Sequence, residues 1–260
     1  MTNILITGAT GGIGAATARK FAEVGSTVLL HTFQNVQSAE RIAEEVRKAG
    51  AEAAVFTADF SHPGSAGNLY RQVYRRVEHI DVLVNAAGAD LMSPSIHSMS
   101  FEEKMRLLWQ IDVAVPIRLS RTIARQSSGK NAGKDTGGST KRTLIVFFSS
   151  NSVDYGWRGE TAELYGTAKG ALQGFSRSFA QTVSPDVRVC CLSLGWITTR
   201  WGDSLPLDKE KRYAADSLLN RWGTPEEVAA TVRFLADDAS LLLDGCRLYV
   251  DGGKRSATAG

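Results

Sequence analysis

The chain alternates between short apolar runs and longer stretches where apolar and polar residues recur at helical spacing. The apolar runs are residues 4–7, 27–31, 53–57, 82–85, 144–148, 187–192 and 248–250. They are continuous rather than alternating, as in strands covered on both faces. Between them the periodicity predicts helices over 13–24, 38–49, 69–77, 101–126, 164–182 and 225–236. This order predicts an α/β fold: a single doubly wound domain spanning 1–260. Its sheet is seven-stranded and mostly parallel, with helices on both faces.

Two stretches depart from the pattern. Residues 127–142 hold no large apolar side chain and read as a flexible polar loop inserted before the fifth strand. A phosphate-cradling loop would need a Gly-Lys-Ser/Thr ending, which this stretch lacks. Residues 196–222 read as a lid, with the charged run Asp208 to Arg212 as the solvated face of a lid helix.

Composition narrows the function classes. Hydrophobic residues at 43% allow a sizeable core, and a net charge of +3 is too small to point to nucleic acid or an anionic membrane. Cys190, Cys191 and Cys246 have neither disulfide nor metal spacing, and read as core residues in a reducing compartment. His31, His62, His79 and His97 form no pattern, so no metal site is expected. No run reaches membrane-spanning length, and the start lacks the basic flank of a secretion signal. The expected location is the cytoplasm.

The candidate chemistry begins with Thr7-Gly8-Ala9-Thr10-Gly11-Gly12-Ile13-Gly14, between the first strand and the first helix. Glycines there permit a tight turn and close backbone approach to a pyrophosphate, which the helix N-terminus then attracts. The turn therefore predicts a dinucleotide, with Gly8, Thr10, Gly11, Gly12, Ile13 and Gly14 at its phosphates. After the second strand, Leu30-His31-Thr32-Phe33-Gln34-Asn35 carries no Asp or Glu. A carboxylate there would bond the ribose 2′-OH of NAD and repel a 2′-phosphate. Its absence favours NADP over NAD, with His31, Thr32, Gln34 and Asn35 as candidate phosphate partners.

Tyr165 and Lys169 lie four residues apart in a predicted helix, with Ser149, Ser150 and Ser152 upstream. Four residues is about one turn, so phenol and ammonium share a face. A neighbouring cation favours a phenolate and suits a tyrosine to proton exchange near neutrality.

The glycine turn, the serine cluster and Tyr-x-x-x-Lys, in this order, resemble the classical short-chain dehydrogenase/reductase family, which has a Rossmann-type fold. The resemblance covers essentially the whole chain. Asp59 and Phe60 match the segment after the third strand that bonds adenine. Asn85-Ala86-Ala87-Gly88 resembles the family's Asn-Ala-Gly motif beside the cofactor ribose. Gly195, Ile197 and Thr199 resemble its Pro-Gly-x-x-x-Thr segment, which holds the nicotinamide carboxamide. The resemblance implies a hydride transfer between nicotinamide and a carbonyl or secondary alcohol. Tyr165 would be acid/base, Lys169 would lower its pKa and bond the ribose, and a serine would orient the substrate oxygen.

Three departures stand out. Asp112 occupies the position of an asparagine that supports a proton-relay water, Leu194 replaces the proline, and the serine register is open. The usual interval before the tyrosine selects Ser152, whereas the strand end selects Ser150; strand ends are fixed by the sheet, so Ser150 is preferred. A non-catalytic dinucleotide-binding protein on the same fold is the alternative reading. The partner is a small molecule met by loops 90–99, 153–163 and 196–220. The family's habit predicts a homotetramer or homodimer.

Overall fold

The computed structural model describes residues 2–131, 142–199, 207–237, 240 and 242–254. Seven strands form one sheet: β1 (Thr2–Thr7), β2 (Ser26–Thr32), β3 (Glu52–Thr57), β4 (Val82–Asn85), β5 (Thr143–Ser150), β6 (Val187–Leu194) and β7 (Arg247–Val250). Their order is β3-β2-β1-β4-β5-β6-β7, and every pairing is parallel. All strand C-termini therefore share one edge. The chain leaves β1 toward β2 on one side and later returns to place β4 on the other. That reversal opens a crevice at the C-terminal ends of β1 and β4.

Side-chain alternation along the strands feeds two cores. Ile4, Ile6, Val28, Leu30, Val84, Val146 and Leu192 point to one face, against helices α1 (Gly12–Lys20), α2 (Val36–Lys48) and α9 (Pro225–Leu235). Leu5, Leu29, Leu83, Ile145, Phe147 and Val189 point to the other, against α3 (Ser65–Tyr74), α6 (Val115–Asn131) and α7 (Glu160–Val183). The inner strands' apolar runs are continuous because both faces are covered, whereas the edge strands β3 and β7 are only half-buried. Each fully buried Leu or Ile contributes about 1.5–3 kcal/mol. Among the described residues, no helix is long and apolar enough to cross a membrane.

The helices differ from the periodicity in instructive places. α1 stops at Lys20 rather than 24, because the turn through Gly25, at φ 86°, returns the chain to β2. α3 begins at Ser65, ahead of its predicted start at 69. A short helix, α4 (Pro94–His97), precedes the first substrate loop's end. The predicted helix over 101–126 is three pieces: α5 (Phe101–Leu108), a wide π turn (Trp109–Ala114), then α6. α5 starts on a reciprocal cap, with the Ser100 hydroxyl accepting from the Glu103 amide and the Glu103 carboxylate accepting from the Ser100 amide. α9 starts the same way on Thr224 and Glu227, with Pro225 in its first turn.

The predicted polar loop 127–142 begins inside α6, which continues to Asn131. Ser127 is buried there, its hydroxyl 2.8 Å from that of Thr143. A small hydroxyl can stay helical by donating back to Ile123. The rest of that loop, 132–141, lies outside the described residues. The expected lid contains α8 (Leu207–Ala214), while 200–206 lie outside the described residues.

Candidate active site

The glycine turn closes on itself and on its neighbours. Gly8 has φ +66°, and a Cβ there would lie 2.7 Å from the Ala87 Cα and 2.8 Å from the Ala86 oxygen. A Cβ on Gly14 would collide with the Gly8 carbonyl oxygen. The Gly11 amide donates to that same oxygen at 3.0 Å. Gly11 also caps α1, with no side-chain cap and no acid in the first turn. The first amides of a helix have no partner within it, so they remain for an anion. The Thr10 and Thr32 hydroxyls lie 3.4 Å apart under the turn, and a Cβ on Gly12 would come within 3.3 Å of the Thr199 methyl. The geometry thus brings the first turn, the end of β2 and the segment after β6 together.

His31 has a different place from the one the sequence suggested. It is buried, accepting at Nδ1 from the Gly8 amide (3.3 Å), with Nε2 3.1 Å from the Ala58 carbonyl. Accepting at Nδ1 requires a neutral ring that carries its proton on Nε2. Burial lowers its pKa from 6.5 to about 4, against a smaller upward pull from the Ala58 carbonyl. Phe60 stacks on it at 4.1 Å. His31 therefore braces the turn and is no phosphate ligand. Thr32 is also buried, whereas Gln34 and Asn35 stay exposed. Asp59 is held by Ser61, through both amide and hydroxyl, and by His62 at 2.9 Å. Burial opposes its ionisation, but the Ser61 and His62 bonds outweigh it and set its pKa below the usual range.

At the next strand, the Asn85 amide donates to the Val146 carbonyl at 3.1 Å and fixes the bend into Ala86, Ala87 and Gly88. Ala87 donates its amide to the Thr7 hydroxyl at 3.2 Å. Gly88 is small because Asp112 stands beside it; a Cβ would lie 3.0 Å from Oδ2. After β6, a Cβ on Gly195 would lie 2.7 Å from that of Asp251. Ile197 bridges to Gly223, and the Thr198 amide donates to the Gly223 carbonyl at 2.9 Å.

The wide turn aims Asp112 inward at 3% exposure. Its Oδ1 accepts from the Ala89 amide at 2.8 Å, and its Oδ2 lies 3.3 Å from Lys169 Nζ. Such a pair at an effective dielectric of ~20 attracts by about 5 kcal/mol before desolvation is subtracted. Burial raises the Asp112 pKa against the pull of Lys169. Burial alone would lower that of Lys169, but Asp112 and Tyr165 together carry it upward. Lys169 Nζ also lies 5.3 Å from the centre of the Tyr165 ring.

The serines form a linked group. Ser149 donates to the Lys169 carbonyl at 3.0 Å, which ties β5 to α7. The Ser150 and Ser152 hydroxyls are 2.8 Å apart, and the Ser152 amide donates to the Ser150 hydroxyl at 3.2 Å. Ser150 ends β5, and Ser152 sits in the short 3₁₀ turn that follows. Gln173, one turn past Lys169, donates to Ser149 at 2.8 Å and to the Ser150 carbonyl at 3.3 Å. Its signal was the same four-residue spacing, continued along α7. Tyr165 is 36% exposed and, with Ser152 and Trp157, lines a cavity of about 230 Å³. His97, on α4, is not part of that lining. No group of three or more His, Cys, Asp or Glu that could hold a metal occurs among the described residues.

This parallel sheet, its glycine turn and its Tyr–Lys pair define the class, and the chain belongs to the short-chain dehydrogenase/reductase family of oxidoreductases. The family model described as enoyl-(acyl carrier protein) reductase matches residues 8–255. The chain is 30% identical to the 3-oxoacyl-[acyl-carrier-protein] reductase of Aquifex aeolicus, over 96% of this chain and 95% of that one. It is 29% identical to the acetoacetyl-CoA reductase of Allochromatium vinosum, over 96% of each. In fold it is similar to a short chain dehydrogenase from Burkholderia cenocepacia in complex with NADP. The TM-score is 0.82 at 24% identity, covering 97% of both chains. It is also similar to the angucycline C-6 ketoreductase LanV with bound NADP, at TM-score 0.81 and 22% identity over 97% of this chain and 95% of that one.

Proposed function

We propose that this chain is an NADP(H)-linked oxidoreductase that interconverts a ketone and a secondary alcohol. One observation carries the reading: Asp112, Lys169 and Tyr165 stand in contact sequence, beside linked serine hydroxyls, at the sheet edge bearing the glycine turn. The turn suits a dinucleotide, because Gly8 and Gly14 leave no room for a Cβ and the start of α1 is uncapped. Its phosphates would meet Gly8, Thr10, Gly11, Gly12, Ile13 and Gly14. Asp59, Phe60 and Asn85 to Gly88 would flank adenosine and ribose, and Gly195, Ile197 and Thr199 the nicotinamide carboxamide. Bound there, the nicotinamide supplies or accepts the hydride.

The chain's own groups handle the oxygen. Tyr165 gives its hydroxyl proton to the substrate oxygen in reduction and takes it back in oxidation. Lys169 stabilises the charge left on the phenol oxygen, and Asp112 holds Lys169 in place. Ser150 donates to the substrate oxygen, and Ser152 orients the Ser150 hydroxyl. The absence of a carboxylate after β2, with Thr32 and Gln34 nearby, supports NADP over NAD. The names of the two relatives support carbonyl reduction. Phe101, Met105 and Trp109 are exposed at successive turns, which supports pairing of subunits as a homodimer or homotetramer. The proposed location is the cytoplasm.

The test follows reduced-nicotinamide absorbance with a panel of ketones. Tyr165→Phe should cut turnover by about 10²–10⁴ while NADPH binding persists. Undiminished turnover in that variant would dismiss the mechanism.

A further inference from the structure

The cavity beside Tyr165 carries a specificity element that the reaction does not require. Trp157, in the loop before α7, lines it together with Val153, Ala162 and Glu163. One face of Trp157 is covered by Trp196, at 4.4 Å and 7° between planes. Trp196 in turn stacks on Tyr213 of α8 at 4.2 Å and on Trp222 at 5.2 Å. Three further rings thus back the Trp157 indole, Trp196 and Tyr213 directly and Trp222 through Trp196, yet Trp157 keeps 39% of its surface exposed. A ring held by such a stack needs no ordering when a ligand arrives, so its contact energy goes to binding.

The rest of the lining constrains the ligand's charge and size. Glu163 is the one charged side chain among the described lining residues, and no lysine, arginine or histidine faces it there. Among these described residues an anionic substrate would meet a carboxylate and no cation to offset it. The volume, about 230 Å³, lies below the ~300 Å³ at which pockets for drug-sized ligands begin. A small ring system fits that space.

We propose that the site selects uncharged ketones whose carbonyl is joined to an aromatic ring, with Trp157 as the residue that reads the ring. The proposal rests on the oxidoreductase reading above. The substrate ring packs on the exposed part of the indole while its carbonyl reaches the Tyr165 hydroxyl. Offset or edge contact between two rings adds to the burial of their area, and together these correspond to about a tenfold preference.

Three probes test it, with NADPH in each: 1-tetralone, its saturated counterpart 1-decalone, and the anionic aryl ketone 4-acetylbenzoate, whose charge lies on the ring itself. The wild-type chain should show kcat/KM about tenfold higher for tetralone than for decalone, with 4-acetylbenzoate lowest. Trp157→Leu should collapse the tetralone-to-decalone ratio toward one, and Trp157→Phe should keep most of it. Glu163→Gln should raise kcat/KM for the anionic probe relative to the neutral ones. Thermal unfolding of each variant separates selectivity from folding. A ratio unchanged in Trp157→Leu while stability falls would make the stack purely structural and overturn the proposal, as would a wild-type preference for decalone or 4-acetylbenzoate. No turnover of any probe would instead overturn the oxidoreductase reading itself.

Discussion

Replacing Asp112 with alanine should destabilise the fold by about 3–5 kcal/mol, because it strands a buried lysine. The reasoning starts from two contacts: Oδ2 is 3.3 Å from Lys169 Nζ, and Oδ1 accepts from the Ala89 amide at 2.8 Å. Lys169 is itself buried, with 11% of its side chain exposed. The gross attraction, about 5 kcal/mol at an effective dielectric of ~20, is largely what offsets the desolvation of both charges. Truncation removes the attraction and leaves the desolvation of the lysine. It also orphans the Ala89 amide, at about 1–3 kcal/mol, part of which water entering the vacated space returns. Asp112→Asn leaves one acceptor oxygen for two donors and turns its NH2 toward the other, and should cost less than alanine, about 1–3 kcal/mol. Equilibrium urea unfolding measures each. The decisive variant is the double change Asp112→Ala with Lys169→Met, since a neutral methionine no longer needs the acid. It should be more stable than Asp112→Ala alone by about 2 kcal/mol, a coupling within the range typical of contacting charges. If the second change restores nothing, the lysine charge is not what Asp112 holds, and the argument fails.

Other tests reach the rest of the site. His31 is neutral when folded, with its pKa lowered from 6.5 to about 4, so the unfolded chain binds more protons between those values. Stability should be complete above pH 6.5 and fall by about 3 kcal/mol as pH drops through 4. Urea unfolding at pH 7.5 and 4.5 measures this, and His31→Gln should flatten the slope; an equal slope in the variant would place the effect elsewhere. Gly14→Ala should weaken NADPH binding at least tenfold by calorimetry, because its Cβ meets the Gly8 carbonyl and comes 2.9 Å from the Ala9 Cα. An unaltered Kd would show that the turn has slack. Ser150→Ala should lower kcat by about 10²–10³, the range for one lost oxyanion donor, and Ser152→Ala by clearly less. The reverse order would move the substrate contact to Ser152.

All seven strands and the main helices were legible because continuous apolar runs and helical spacing are local signals. Tyr165 with Lys169, and the glycine turn, were legible for the same reason: each is written within a few residues. What stayed hidden depends on distance along the chain. The family resemblance pointed to Asp112 but not to its direct pairing with Lys169: the two are 57 positions apart, and the π turn swings the acid inward to meet the lysine. The role of His31 arises from Gly8 and Ala58 on neighbouring strands, and its burial could not be read from a lone histidine at a strand end. Helix ends were misplaced where packing rather than periodicity decides, as at Ser127, which stays helical by bonding Ile123 and Thr143.

The π turn at Trp109–Ala114 is in effect one surplus residue wound into an otherwise regular helix. The six residues of the wide turn span roughly the rotation that five take in ordinary winding, so loss of one residue there would leave α5 and α6 in about their present register. Phe101 and Met105 would keep their direction, while Asp112, inside the wide turn, lost its aim at Lys169. One surplus residue thus sets an inner charge without disturbing the outer surface on the turns before it. Removing it would cost the charge its setting and spare that surface.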